Sequence, residues 1–322
     1  MIRILANDGM EASAIEMLEK AGFQVDTNKV AQENLAEALK NYDAITVRSA
    51  TKVRKDLIDA CPNLKLIGRG GVGMDNIDVE YARSKGIRVV NTPAASSASV
   101  AEMVFAHIFS AVRNLAESNR LMPEKGTTDF SAIKKASEGV ELRGKAMGII
   151  GFGRIGQETA KIAFGLGMDV YAYDPYVAEA EIYLHLGATA GNQRIKIPVK
   201  TVSKEEVLQK ADFVSLHVPF NEGDAPVIGA PEMAKMKKGA GIVNCARGGA
   251  VNESDLIEAM ANGQIAYAGL DVFAKEPPVD DRVLKVKGIS LSAHVGGSTK
   301  EAQSNIGAEL AEKIIDFFNS GK

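Results

Sequence analysis

The sequence predicts an α/β protein with two doubly wound parallel sheets. Strand-like and helix-like segments alternate over residues 1–92, and the alternation starts again at Ala146. A G-x-G-x-x-G turn follows the first strand of the second series, at Gly151, Gly153 and Gly156. Such alternation is typical of parallel strands joined by crossover helices. A chain of 322 residues is long enough for two domains with separate cores.

The first series contains five predicted strands and four predicted helices. The strands are short and apolar, and we expect them at 2–6, 23–27, 44–49, 65–70 and 87–92. The helices have apolar residues at helical spacing, and we expect them at 10–22, 31–41, 54–61 and 78–86. This is a complete α/β domain before the glycine turn is reached.

A long helix is predicted over residues 96–122, apolar on more than one face. This pattern favours burial between domains or subunits, and it suggests a homodimer formed through the second domain. The segment 122–145 is polar, and we expect an irregular surface stretch there.

The second series begins with the strand 146–150. Further strands are predicted at 169–174, 195–201, 213–218, 241–246, 267–273 and 288–294. The intervening helices include 205–211, 230–236 and 253–263, and a long amphipathic helix follows at 298–318. Residues 91–93 and 296–298 look like two hinges between the same lobes. We therefore predict one domain at 1–97, completed by 298–322, and a second, nucleotide-binding domain at 98–297.

The glycine turn predicts a dinucleotide site. Gly151 permits a tight turn after the strand, and Gly153 lets the backbone approach a pyrophosphate. Gly156 allows close packing of helix and strand, and the helix N-terminus presents free N–H groups to the phosphates. Asp174 ends the next strand, close to the spacing of about 20 residues expected for the acid that binds the ribose. A carboxylate there favours NAD over a cofactor with a 2′-phosphate.

Composition excludes several other classes of function. The net charge is −3 and the pI about 5.9, so we expect no nucleic-acid or membrane partner. Cys61 and Cys245 are the only cysteines, which suits a reducing cytoplasm. No run has the length of a signal peptide or membrane span, and no His/Cys/Asp cluster has metal-ligand spacing.

Polar residues that follow predicted strands of the second series are the candidates for chemistry, because ligands bind at the carboxyl ends of parallel strands. They are Asp174, His217, Arg247, Asp271, Glu276 and His294. Three of them have ordinary alternatives: Arg247 as a surface arginine, Glu276 as a turn residue and His294 as a buried histidine. His107 lies within a helix and is more typical of a core or interface residue, and His185 lies in a polar segment. Cys245 lacks a neighbouring base that would make it a nucleophile.

Motifs along nearly the whole chain carry a family resemblance. They are VRSATKV at 47–53, GRGGVGMDNID at 68–78, GFGRIG at 151–156, YDP at 173–175, VNCARGG at 243–249, LDVFAKEPP at 270–278 and HVGGSTKEAQ at 294–303. In this order they resemble the NAD-dependent D-2-hydroxyacid dehydrogenases, most closely the members that oxidise a phosphorylated substrate. The resemblance implies a flavodoxin-like substrate domain and a Rossmann NAD-binding domain.

The family's catalytic group falls by motif on Arg247, Glu276 and His294. The roles suit the residue types. A guanidinium holds a substrate carboxylate bidentately, and an imidazole takes the hydroxyl proton near neutral pH. A carboxylate beside the imidazole fixes its tautomer.

The resemblance also implies further cofactor contacts, including a bond from Asp271 to the nicotinamide carboxamide. The other implied contacts are Arg154, Ile155, Val218, Cys245, Ala246, Arg247, His294, Gly296 and Gly297, with Val72 from the first domain.

Substrate choice is predicted to lie in the first domain. Arg48 and Arg69 each end a strand, and two arginines suit a dianionic phosphate, although alone they read as surface arginines. Gly70 to Gly73 would offer backbone N–H groups to the substrate carboxylate, beside Arg247 and His294. The chain departs from the family at Ala293, where proline is usual, and in the loop 122–141, which lacks the usual tryptophan.

Overall fold

The computed structural model describes residues 1–221 and 223–320. The chain forms two compact units: unit 1 comprises Met1–Ser97 with Gly297–Lys322, and unit 2 comprises Ala98–Gly296. Residues 321–322 of the predicted segment 298–322 lie outside the described part. The predicted boundary differs from this division by one residue, since Gly297 groups with unit 1.

The secondary structure alternates along the chain. The strands are β1 (Arg3–Ala6), β2 (Gln24–Asp26), β3 (Ala44–Val47), β4 (Leu66–Arg69), β5 (Arg88–Asn91), β6 (Ala146–Ile150), β7 (Asp169–Tyr173), β8 (Glu179–His185), β9 (Arg194–Lys200), β10 (Phe213–Leu216), β11 (Ala240–Asn244), β12 (Ile265–Leu270) and β13 (Ile289–Leu291). The α-helices are α1 (Ala12–Lys20), α2 (Leu35–Ala38), α3 (Lys55–Ala60), α4 (Val79–Ser84), α5 (Ser97–Val112), α6 (Leu115–Lys125), α7 (Phe130–Ala136), α8 (Arg154–Gly165), α9 (Lys204–Lys210), α10 (Ala230–Lys235), α11 (Glu253–Ala261) and α12 (Lys300–Asn319).

Unit 1 contains a parallel five-stranded sheet in the order β2-β1-β3-β4-β5. This is the flavodoxin-like order, and it confirms the predicted fold of the first domain. The C-terminal helix α12 belongs to this unit, because its buried Leu310 and Ile314 share a core with Ile4 and Leu66.

Unit 2 contains a parallel six-stranded sheet in the order β13-β12-β11-β10-β6-β7. The chain runs outward from β6 to β7, then returns to the other side of β6 as β10. This reversal is the topological switch point at which doubly wound sheets bind dinucleotides. The predicted Rossmann domain is confirmed.

The segment between the two series differs from the prediction. The expected helix over 96–122 is broken at Asn114, whose φ of 49° is left-handed, so that α5 and α6 are separate helices. Asparagine tolerates this conformation because its short side chain bonds locally. The expected irregular stretch 122–145 also contains the end of α6 and all of α7. Its polar composition concealed the helix, since only Ile133 of α7 is buried.

A two-stranded antiparallel hairpin, β8–β9, lies outside the main sheet of unit 2. The sequence analysis predicted β9 but missed β8. Apolar and polar residues alternate along Glu179–His185, and this period of two would have indicated the strand. Ile182 and Val199 are the side chains that the hairpin buries.

No helix in the described part of the chain is both long and apolar enough to cross a membrane.

Candidate active site

The glycine turn after β6 has the geometry of a phosphate cradle. Gly151 has a φ of +95°, and a Cβ there would lie 2.5 Å from the carbonyl oxygen of His217. A Cβ on Gly156 would lie 2.2 Å from the carbonyl oxygen of Gly151, so α8 packs against the turn only because position 156 is glycine. A Cβ on Gly153 would meet nothing within 4 Å, which leaves open space where the backbone must approach a pyrophosphate.

Asp174 supports this cradle directly. Its Oδ2 accepts the backbone N–H of Phe152 at 2.7 Å, and its Oδ1 accepts the N–H groups of Tyr176 and Val177 at 2.8 and 3.2 Å. A carboxylate offers about four acceptor positions, so capacity remains for a ribose hydroxyl. The sequence analysis predicts a ribose role for Asp174 and missed this anchoring role.

The residues around the turn fit NAD. α8 begins at Arg154, immediately after the open Gly153, so its first N–H groups point out of the helix end. Ile155 is half-buried beside the turn. Val218 covers the first glycine, since its Cγ1 lies 2.9 Å from a Cβ built on Gly151. Gly151, Gly153 and Asp174 would therefore hold the pyrophosphate and ribose of this cofactor.

His294 and Glu276 form a hydrogen-bonded pair at the carboxyl end of the same sheet. His294 Nδ1 lies 2.7 Å from Glu276 Oε2, and the backbone N–H of Phe273 donates to Glu276 Oε1 at 3.2 Å. Because a carboxylate only accepts, Nδ1 carries a proton in this contact, and in the neutral ring Nε2 is left with a lone pair. The His294 side chain is 52% exposed, so that lone pair is reachable. This arrangement suits a general base.

Arg247 is brought to the same place by a glycine contact. A Cβ on Gly248 would lie 1.6 Å from the carbonyl oxygen of Phe273, so the loop after β11 packs directly on the turn that carries Glu276. Asn244 fixes this loop, donating to the carbonyl of Arg247 at 2.8 Å and accepting the N–H of Ala246 at 3.1 Å. The Arg247 guanidinium is half-buried and donates to the Ala246 carbonyl at 2.7 Å.

Asp271 is buried behind His294. Its carboxylate accepts the backbone N–H groups of Val295 and Gly296, each at 2.8 Å, and the Ser292 hydroxyl at 2.5 Å. The sequence analysis assigned Asp271 a cofactor contact, and the structure shows that it also holds the turn after His294. Gly297 belongs to unit 1, where its carbonyl accepts the Gln303 side chain at 2.9 Å.

Two other candidates are unsuited to proton transfer or nucleophilic attack. Desolvation of its half-buried ring lowers the pKa of His217 to about 3, and its Nε2 bonds Thr159 Oγ1 at 3.2 Å. Burial, reinforced by the negative charge of Asp271, raises the pKa of the Cys245 thiol well above its ordinary value. Cys245 is therefore a packed strand-end residue, as the sequence indicated.

In unit 1, Arg48 and Arg69 flank the same two glycines. Arg48 Cγ lies 3.8 Å from a Cβ built on Gly70, and Arg69 Nη1 lies 1.6 Å from a Cβ built on Gly71. The Asp8 carboxylate holds the loop that carries Arg48, accepting the backbone N–H of Arg48 at 2.7 Å. Both arginines are half-buried, and their side chains lie beside adjacent glycines.

The predicted backbone cradle at Gly70 to Gly73 is partly occupied by the protein itself. The N–H of Gly70 donates to the Val47 carbonyl at 2.9 Å, and that of Gly71 donates to Thr92 Oγ1 at 2.7 Å. Gly70 and Gly71 therefore cannot offer these groups to a substrate, because strand pairing and a side-chain bond use them. The N–H groups of Val72 and Gly73 donate to nothing else in the described part of the chain.

Among residues 1–221 and 223–320, no group of three or more His, Cys, Asp or Glu side chains could hold a metal ion.

Comparison with protein families agrees with this geometry. The model of the "D-isomer specific 2-hydroxyacid dehydrogenase, NAD binding domain" matches residues 105–296. That span includes the glycine turn, Asp174 and all three candidate catalytic residues.

Two similar curated proteins differ in their named activities. A hydroxypyruvate reductase from Thermotoga maritima is 40% identical over 317 residues, which cover 97% of both chains. A D-3-phosphoglycerate dehydrogenase from Methanocaldococcus jannaschii is 42% identical over 315 residues, 98% of this chain. The chain spans only 57% of the length of that second relative.

Solved structures show the same architecture. NAD⁺-bound 3-phosphoglycerate dehydrogenase from Entamoeba histolytica superposes with a TM-score of 0.77 at 28% identity, over 100% of this chain and 96% of that one. A glyoxylate reductase from Paecilomyes thermophila superposes with a TM-score of 0.82 at 27% identity, over 100% and 96% of the two chains.

Proposed function

We propose, from the premise that the chain belongs to the D-isomer specific 2-hydroxyacid dehydrogenases, that it catalyses the NAD-dependent oxidation of D-3-phosphoglycerate to 3-phosphohydroxypyruvate. This reaction leads towards serine. Membership of the family makes the chain an NAD-dependent oxidoreductase acting on a small 2-hydroxy acid. The phosphorylated substrate and the roles of the individual residues are the proposal.

The three residues of unit 2 supply the chemistry. Arg247 binds the substrate carboxylate through its guanidinium. His294 Nε2 accepts the proton of the C2 hydroxyl, and Glu276 stabilises the imidazolium through the 2.7 Å bond to Nδ1. Bound NAD supplies the hydride acceptor. The cradle at Gly151 and Gly153, with Asp174, orients that cofactor.

The observation that supports the phosphorylated substrate is the arginine pair of unit 1. Arg48 and Arg69 lie beside adjacent glycines and are half-buried, and the Asp8 carboxylate fixes the loop that carries Arg48. Two guanidinium groups held this way match a dianionic phosphate better than a neutral hydroxymethyl group. Val72 and Gly73 supply the remaining N–H groups for the carboxylate end.

D-3-phosphoglycerate and D-glycerate form a matched pair for the test, because they differ only by the phosphate. We expect Arg48→Ala and Arg69→Ala each to lower kcat/KM for D-3-phosphoglycerate by about 10- to 100-fold, the worth of hydrogen bonds to a charged group. The value for D-glycerate should change less than about threefold. Arg54→Ala is the control, since Arg54 is a unit 1 arginine that pairs with Asp78. Equal losses for both substrates would contradict the phosphate assignment.

A second candidate function is reduction of hydroxypyruvate or glyoxylate. The hydroxypyruvate reductase that covers 97% of both chains favours it. A panel of D-3-phosphoglycerate, D-lactate, D-glycerate and 2-oxoglutarate, with NAD and NADP forms and both reaction directions, distinguishes the two. A higher kcat/KM for D-glycerate than for D-3-phosphoglycerate, and for their unphosphorylated product hydroxypyruvate in the reverse direction, favours the reductase.

A third candidate is an NAD-sensing protein that resembles a corepressor and keeps the catalytic group without turnover. Binding of NADH with no turnover of any 2-hydroxy acid in the panel would support it.

A homodimer formed through unit 2 and a cytoplasmic location complete the proposal. Exposed apolar side chains on α5, α6 and α7 support the dimer: Phe109, Leu115, Met122 and Phe130. Leu115 and Phe130 are 60% and 56% exposed, so their replacement by glutamate should yield a monomer in light scattering. Two buried free cysteines are consistent with a reducing compartment.

A further inference from the structure

A buried histidine of unit 2 has no role in the chemistry described above. His107 lies on α5 and is 3% exposed. Both ring nitrogens are bonded, Nδ1 to Ser290 Oγ at 2.9 Å and Nε2 to Ser292 Oγ at 3.0 Å. A Cβ on Gly269 of β12 would lie 2.5 Å from His107 Cβ, so the imidazole fits only beside a glycine.

The donor and acceptor in each of these hydrogen bonds can be assigned by starting from Asp271, the last group in the series. The Asp271 carboxylate can only accept, so the Ser292 hydroxyl donates its proton to Asp271 Oδ1. Ser292 Oγ must then accept from His107 Nε2–H. The neutral ring is left with a lone pair on Nδ1, which accepts from Ser290 Oγ. One continuous chain of donors therefore runs from Ser290 through His107 and Ser292 to Asp271.

This chain ends on the turn that carries the proposed base. His294 has a φ of +53°, a left-handed conformation that is strained for a non-glycine residue. Asp271 offsets that strain through three contacts. Its carbonyl accepts the N–H of His294 at 2.7 Å, and its carboxylate accepts the next two N–H groups, of Val295 and Gly296.

We infer that His107 and Ser292 are positioning residues, which orient the Asp271 carboxylate and through it hold His294 in its strained, Glu276-paired conformation. The role of His294 as base rests on the proposed function. Burial lowers the pKa of His107, which keeps the ring neutral and the direction of the chain fixed near neutral pH.

The expected losses of kcat follow from the strength of the hydrogen bond that each substitution removes. Ser292→Ala removes a hydrogen bond to a charged group and should lower kcat by about 10- to 100-fold. His107→Leu removes a bond between neutral groups and should lower kcat by about 3- to 10-fold. His107→Gln keeps an N–H of similar reach, and Ser292→Thr keeps the hydroxyl, so both should stay within about threefold of wild type.

The double variant His107→Leu/Ser292→Ala tests the connection. If His107 acts only through Ser292, the double variant loses no more than Ser292→Ala alone. The dissociation constant for NADH, measured by fluorescence, should change less than about threefold in all variants, because the glycine turn that holds the pyrophosphate is intact. Val104→Ala removes buried apolar volume from the same helix and serves as the packing control, with a lower Tm and unchanged kcat.

A nitrogen NMR measurement of histidine tautomers gives a readout that does not depend on the substrate. With four histidines in the chain, the signals can be assigned by single substitutions. We expect His107 as the Nε2–H tautomer and His294 as the Nδ1–H tautomer. Ser292→Ala should mix the tautomers of His294, because the pairing with Glu276 loosens.

The outcomes separate this inference from the proposed function. A wild-type enzyme that prefers another 2-hydroxy acid contradicts the phosphate assignment, and the variants are then compared on that substrate. A wild type with no turnover contradicts the enzyme proposal. The positioning role is then tested by the tautomers of His294 in wild type and Ser292→Ala alone. Additive losses in the double variant, or an unchanged His294 spectrum in Ser292→Ala, would overturn the positioning role.

Discussion

The two units each contain a G-x-G-x-x-G sequence at the end of a parallel strand, and the two loops have different contacts. In unit 2 the glycines Gly151, Gly153 and Gly156 come after β6. In unit 1 the sequence GRGGVG at 68–73 begins within β4. By sequence alone the two runs share the same spacing.

The two loops differ in how soon a helix begins after the strand. In unit 2, α8 begins at Arg154, inside the run, and its free N–H groups and the open Gly153 form a cradle. In unit 1 the next helix begins only at Val79. The N–H groups of Gly70 and Gly71 are used within the unit, and the guanidinium of Arg69 covers Gly71.

The glycines of the two loops therefore make room for different groups. In unit 2 the open Gly153 leaves room for the phosphate of the proposed cofactor contact, and in unit 1 Gly71 leaves room for the guanidinium of Arg69. A glycine fingerprint predicts a dinucleotide site only where a helix starts within it.

The largest effect is expected when the proposed base is removed from unit 2, which tests whether the chemistry lies in that unit. His294→Ala should lower kcat by about 10²- to 10⁴-fold, equally for D-3-phosphoglycerate and D-glycerate, because proton transfer does not involve the phosphate. Steady-state assays of both substrates measure it. His185→Ala, at an exposed position of β8, is the control. A loss below tenfold would show that His294 is not the base.

Alanine placed in each glycine loop tests their different purposes. Gly153→Ala should raise the KM for NAD about tenfold or more and leave the apoprotein Tm unchanged, because the new methyl group enters open space. Gly71→Ala, with a φ of +132° and Arg69 in the way, should raise the KM for D-3-phosphoglycerate by a similar factor. Each variant should leave the other KM within about twofold. The opposite pattern would reverse the assignment of the two loops.

Cofactor choice sharpens the description of the unit 2 loop. Asp174→Ala should relax the preference for NAD over NADP by about tenfold, because the charge that repels a 2′-phosphate is removed. Parallel assays with both cofactors measure the ratio. Asp169→Ala, an exposed acid at the start of the same strand, should leave the ratio unchanged. An unaltered ratio in Asp174→Ala would limit Asp174 to anchoring the loop.

The dependence of stability on pH should also differ between the units, because all four histidines of the sequence lie in unit 2, within Ala98–Gly296. Burial lowers the pKa of His217 from 6.5 to about 3, so below 6.5 the unfolded chain binds a proton that the folded unit does not. Stability is unaffected above that pH and falls as the pH drops towards 3. We expect a loss of about 1 kcal/mol from His217 between about pH 7 and 5.5.

Urea unfolding at both pH values, with His217→Gln, measures this loss. The variant should lose about 1 kcal/mol less than wild type over the same interval. His185→Gln should behave like wild type, since His185 is exposed. Equal losses in His217→Gln and wild type would mean that His217 remains protonated when folded.

Most of the fold followed from local patterns. Alternating strand and helix periods predicted both parallel sheets, and the glycine turn with Asp174 predicted the cofactor site. The failures were also local: the alternation of β8 was overlooked, and the break at Asn114 depends on one residue in a left-handed conformation.

The sequence by itself determined which residue types stand at the strand ends: Arg247, Glu276 and His294 in one unit, Arg48 and Arg69 in the other. Only the tertiary structure decided what each group bonds. It paired Glu276 with His294, occupied the N–H groups of Gly70 and Gly71, and placed His107 behind Asp271. The spacing of apolar side chains that predicts a strand or helix depends only on residues close together in the chain. Hydrogen-bond partners tens to hundreds of residues apart are selected only when strands and helices pack.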